Sequence, residues 1–178
     1  MITLFYVIIA FFIAANVAVE YRNRAILPPF RSDLSAYLAG VPWSWLQDLG
    51  YLALAVCLPL IGYWLGGLAV EVLCDVSAVG LVVVVVTKDL IAYSKFNPLV
   101  KGDLEIAHVA AAGLTFGLLT VALLVHSWLE PSTTFVAALL APLSAAAFNR
   151  LAPNRTALEE KTYTLLMLVA MLSAIASK

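Results

Sequence analysis

Charge is scarce in this 178-residue chain. Asp, Glu, Lys and Arg together make up 12% of it, about half the share usual in a soluble domain. Beside a 63% hydrophobic content and a mean hydropathy of +1.00, that shortage excludes a separate soluble domain and points to an integral membrane protein. The formal net charge of −1 offers no basic surface, which removes nucleic acid as a partner. Cysteine occurs twice, as Cys57 and Cys74, both in apolar surroundings. Adjacent helix axes lie about 8–10 Å apart, too far for most cysteine pairs to bond, so both read as small buried hydrophobes. Histidine also occurs twice. Glycine-rich phosphate loops, nucleophile elbows and zinc-protease helices are missing, and neither histidine has an evident serine to activate. The chain reads as non-catalytic.

What is present is long apolar runs. Crossing a bilayer takes about 20 apolar residues, and residues 2–19 supply the first span. It lacks the basic start of a secretory signal, since the first basic residue is Arg22, and so reads as a permanent transmembrane helix. Residues 49–86 are apolar apart from Glu71 and Asp75, too long for one crossing. The paired glycines Gly66-Gly67 are the natural break, giving spans at 46–65 and 68–87. Phe96-Asn97-Pro98 interrupts the chain before a fourth span at 103–128, and Glu130-Pro131-Ser132 turns it into a fifth at 133–150. Pro142 lies inside that span, where neighbouring helices tolerate it. Thr156 followed by Glu159 reads as a capping box opening a sixth span at 157–176. The expectation is an all-α, single-domain bundle of six transmembrane helices with a short interfacial helix after the first.

Charge placement is independent of that count. With six spans, the loops on one side carry Arg22, Arg24, Arg31, Lys88, Lys95, Lys101, Arg150, Arg155 and Lys161, leaving only Lys178 opposite. The positive-inside rule places those loops in the cytoplasm and both termini on the non-cytoplasmic side.

The stretch RSDLSAYLAGVPWSWLQDLGY, residues 31–51, is neither a span nor an ordinary loop. Ser32-Asp33 can cap a short helix ended by Gly40, and Trp43, Trp45 and Tyr51 suit the headgroup level. An interfacial helix over 31–42 then bends at Gly40–Pro42 into the second span. It reads as a membrane anchor, or alternatively as a polar lid in which Arg31, Asp33 and Asp48 do the binding.

The segments SDLSAYLAGVPWSWLQDLGYLALA (32–55) and GDLEIAHVAAAGLTFGLL (102–119), with a weaker echo in FNRLAPNRTALEEKTYTLLMLVAMLSA, resemble a bacterial family of six-helix membrane proteins. That family is catalogued as domain of unknown function 998 and is distantly similar to DRAM-like and Sfk-like proteins. The resemblance implies the fold and the bacterial cytoplasmic membrane, and no activity.

Candidate functional residues concentrate in the fourth span. His108 and His126 are 18 residues apart, on one face but about 27 Å apart along the axis, so they cannot share a metal. Each is an interfacial histidine or the single ligand of a pigment. His108 follows Asp103 and Glu105, a grouping suited to gripping a lipid headgroup or to a solvated helix start. On the opposite face Ala110, Gly113 and Gly117 form a small-residue stripe expected to pack against another helix. Glu71 and Asp75 are wet loop acids, or, if the third helix begins at Leu68, ionisable groups within a span. Two functions remain. One is an accessory subunit packing within a larger membrane complex, with lipids, pigments and other subunits as partners. The other is a lipid- or small-ligand-binding or transport protein whose polar site on the basic side is built from Arg31, Asp33, Trp43, Trp45, Asp103 and His108. No cofactor is expected beyond bound lipid or pigment.

Overall fold

Gly66 and Gly67 adopt φ values of 78° and 93°, a left-handed backbone that side-chain-bearing residues rarely take. The amide of Gly66 caps the preceding helix by donating to the Gly62 carbonyl at 3.0 Å, and the chain reverses between two long apolar helices. In the computed structural model, which describes residues 2–26, 40–93, 98–128, 133–151 and 156–177, the chain forms six helices. They are α1 (Ile2–Asn23), α2 (Ser44–Leu65), α3 (Leu68–Tyr93), α4 (Pro98–Ser127), α5 (Thr133–Leu151) and α6 (Thr156–Ala176), with no strand among the described residues. Four stretches, Ile2–Asn23, Ser44–Leu65, Leu68–Ala92 and Val100–Ser127, are long and apolar enough to cross a membrane, and the apolar part of α5, Thr133–Ala147, is shorter.

Side-chain contacts give the helix directions. Gln47 donates to Asn16 Oδ1 at 2.6 Å, and Phe12 meets Tyr51 edge-on at 5.0 Å, so α1 and α2 run antiparallel. Ser77 pairs with the Thr115 carbonyl and Thr87 with His108, so α3 and α4 do likewise. Tyr163 donates to the Phe116 carbonyl while Thr120 donates to Met167 Sδ, which makes α4 and α6 parallel. An ion pair between Lys161 and Glu20 ties α6 back to α1 and closes the ring. The bundle alternates up and down, with the C-terminal ends of α1, α3 and α5 and the N-terminal ends of α2, α4 and α6 gathered at one end. Phe5, Ile9, Leu58, Ile61, Leu81, Leu123, Met167 and Met171 fill its interior. Val7, Val17, Val56, Val79, Val109 and Leu143 point outward, an apolar exterior of the kind a membrane protein presents.

Several boundaries differ from expectation for physical reasons. α4 begins at Pro98 rather than 103, because the missing amide of a proline is harmless in a first helical turn. α3 begins at Leu68, so Glu71 and Asp75 are helical and not loop residues. Asp75 lies exposed on the outer face and Glu71 half-buried. At 26 residues α3 is about 39 Å long against a hydrocarbon core of about 30 Å, leaving room for its first turns in the headgroup layer. Cys57 and Cys74 are buried free thiols.

Ahead of α2, Gly40 (φ 76°) and Trp43 (φ 68°) make the bend expected near Gly40–Pro42. Trp43 is the only non-glycine residue with a left-handed backbone among the described residues, and Asn23 holds the turn by donating to the Pro42 carbonyl at 2.9 Å. The ring of Trp43 lies 5.9 Å from the Arg22 guanidinium, a cation–π distance. The rest of the expected interfacial helix, with Arg31 and Asp33, lies outside the described residues.

Candidate functional site

α4 faces α3 with the side that carries His108, Thr115 and Leu119, all buried. Gly80 on α3 makes that approach possible: a Cβ there would sit 1.9 Å from Thr115 Oγ1. Ser77 Oγ donates to the Leu73 carbonyl at 2.7 Å and to the Thr115 carbonyl at 3.2 Å. Two turns further along, His108 Nδ1 is 3.1 Å from the Val84 carbonyl and 3.2 Å from Thr87 Oγ1, itself donating to the Val83 carbonyl. A histidine buried in an apolar bundle is satisfied here by a backbone oxygen of its neighbour.

This arrangement corrects the expected packing face. Ala110, Gly113 and Gly117 are exposed, and a Cβ at either glycine would meet nothing within 4 Å. Within the chain, the small-residue stripe does not serve helix packing. The face of α4 that carries Thr115 and His108 is turned inward against α3, where His108 meets the Val84 carbonyl, and this carries the glycines to the other side.

That other side borders a cavity of about 560 Å³. Gly113 and Gly117 of α4 line it with Phe116, while α5 contributes Pro142 and Ala145, and α6 contributes Glu160, Tyr163 and Thr164. Tyr51 and Val84 close its back, and His108 forms part of the wall. α4 meets α5 far more sparsely than it meets α3, and Val109, Gly113, Gly117 and Pro142 are exposed. The mouth therefore opens sideways between α4 and α5. Three polar groups face this apolar space. Nδ1 of His108 is taken up by α3, so Nε2 is the nitrogen left for an occupant. Thr164 Oγ1 is buried without a hydrogen-bond partner. Glu160 lies within electrostatic reach of Tyr51. Tyr163 is held in place by donating to the Phe116 carbonyl at 2.8 Å, by a short contact with Thr120 and by an edge-on ring contact with Phe116.

Of the residues singled out from the sequence, His108, the two glycines and Tyr51 meet at this cavity, Tyr51 being buried against Phe12 and not exposed at the start of α2. Asp103 and Glu105 are exposed and are not among its walls. Trp43 and Trp45 are 50% and 60% exposed at the start of α2, away from it. Asp48 instead lies within electrostatic reach of Asp89 on α3. Glu160, Tyr163 and Thr164 carry no local signal that marks them as a site in the sequence, and Pro142 stood out there only as a proline inside a span. Among the described residues, no group of three or more His, Cys, Asp or Glu side chains is placed to hold a metal ion. No protein family, curated protein or solved structure matches the chain, so the reading of this site rests on its geometry alone.

Proposed function

We propose that this protein is a six-span membrane protein that binds an amphipathic molecule in the cavity between α4, α5 and α6. One observation carries the reading. A space of about 560 Å³ falls in the range of small-molecule sites, about 300–1,000 Å³, and has the mixed character of such sites, apolar walls with a few convergent polar groups. Its opening between two membrane helices suits a ligand that arrives through the bilayer. In this proposal all six helices cross, the end that gathers Arg22, Arg24, Lys88, Lys101 and Lys161 faces the cytoplasm, and the cavity lies in that half of the bundle. An accessory role in a larger assembly remains compatible with the apolar exterior, but no comparable geometric feature favours it.

Photoaffinity labelling tests the binding proposal. The protein is reconstituted in nanodiscs with a diazirine-bearing acyl probe and the labelled peptides are mapped by mass spectrometry. Labels are expected on residues 109–117 and 142–145, and replacing Gly113 by Leu, which fills the mouth, is expected to remove them. Unchanged labelling in a folded Gly113→Leu protein would overturn the proposal. Cysteines introduced at Gly67 and Arg24 check the topology, since a membrane-impermeant maleimide should reach them from opposite sides.

A further inference from the structure

The cavity's polar end is chemically one-sided. The Val84 carbonyl has no proton to give, so in its 3.1 Å contact with His108 the proton belongs to Nδ1. A neutral imidazole protonated at Nδ1 presents a lone pair at Nε2, which makes it a hydrogen-bond acceptor toward the cavity. Glu160 adds carboxylate oxygens to the same walls, and the unpaired hydroxyl of Thr164 accepts as readily as it donates. The described lining residues include no lysine or arginine. Lys88 on α3 lies within electrostatic reach of His108 but is not a wall residue.

Resting on the binding reading above, we infer that the cavity selects an amphiphile whose head donates hydrogen bonds and carries no negative charge. Long-chain alcohols and alkylamines meet that description, whereas carboxylate and phosphate heads do not. A donor head completes the unfilled acceptor positions of His108 Nε2 and Thr164 Oγ1, while its chain lies against Phe116, Pro142 and Ala145. An anionic head would set its charge against the nitrogen lone pair of His108 where little water screens the repulsion.

The experiment compares diazirine probes of equal chain length bearing alcohol, amine, carboxylate or phosphate heads, on the full chain in nanodiscs. The alcohol or the amine is expected to label the cavity walls about tenfold more than either anionic probe, the equivalent of one well-made hydrogen bond. Replacing His108 by Leu should erase most of that preference, whereas His108→Gln, which restores an acceptor, should keep part of it. A preference for the amine that disappears in Glu160→Gln identifies a cationic head, and one for the alcohol that survives it identifies a hydroxyl. Either result supports the inference. Equal or stronger labelling by an anionic probe, lost in Gly113→Leu, would overturn the head-group assignment and leave the binding site standing. If labelling by every probe ignores Gly113→Leu, the site itself fails.

Discussion

At the residue scale, two kinds of glycine behave in opposite ways. Gly80 is tightly constrained because Thr115 Oγ1 occupies the space a side chain would need, with Thr115 Cβ only 3.2 Å from that position. Gly80→Ala should destabilise the bundle by about 1–3 kcal/mol through overpacking, seen as a lowered melting temperature in detergent. Thr115→Ala in the same chain should recover most of the loss. A fall no smaller in the double variant than in the single one would refute the contact. Gly113→Ala and Gly117→Ala should leave stability unchanged or slightly raised, since each adds a methyl to open space on a helix that prefers alanine. The contrast also shows what a sequence conceals at this scale. A glycine pair four apart advertises packing, yet the close approach is made by a single glycine inside the run SAVGLVVVVV, which carries no pattern. His108 stood out by rarity, but its partner is a backbone carbonyl on another helix, and no residue-type signal reports that.

At the element scale, the polar contacts between α1 and α2 act as a clamp. Asn16 Nδ2 donates to the Phe12 carbonyl, and its Oδ1 accepts from Gln47, which is fully buried. Gln47→Leu removes the donor and should cost about 0.6–1.7 kcal/mol, the range of interhelical hydrogen bonds in membranes. A denaturant titration of single and double variants checks it, because Asn16→Leu combined with Gln47→Leu should cost less than the two changes summed. Gly62 acts similarly between α2 and α3, where a Cβ would come within 3.0 Å of the Glu71 backbone, a contact no rotamer change relieves. The breaks between helices were the most legible feature of the chain, because Gly66-Gly67 and Pro98 carry their own backbone chemistry. The helix ends were less so. α2 starts at Ser44 because Trp43 takes a left-handed turn that depends on Asn23, a residue far away in the chain.

At the scale of the molecule, the ring of six helices depends on how α6 returns to α1. Lys161 and Glu20, both largely buried, make an ion pair across that seam. Lys161→Glu should loosen that seam by about 1 kcal/mol and speed disulfide crosslinking between cysteines placed on the facing turns of α1 and α6. Adding Glu20→Lys should slow it again, and failure of the swapped pair to do so would mean that the seam is held by packing alone. Beyond the cavity the same helices are closed. Leu119 and Leu123 on α4, with Met167 and Met171 on α6, fill the next turns.

The cavity's position therefore has a consequence for what the protein can sense. The cavity is displaced toward the end of the bundle where α6 begins and opens between α4 and α5, so in the proposed six-span arrangement an occupant would exchange with only one half of the bilayer. Under the proposed function its filling would then record the composition of that monolayer and be indifferent to the other, as a gauge fitted to one face of a wall reads only one room.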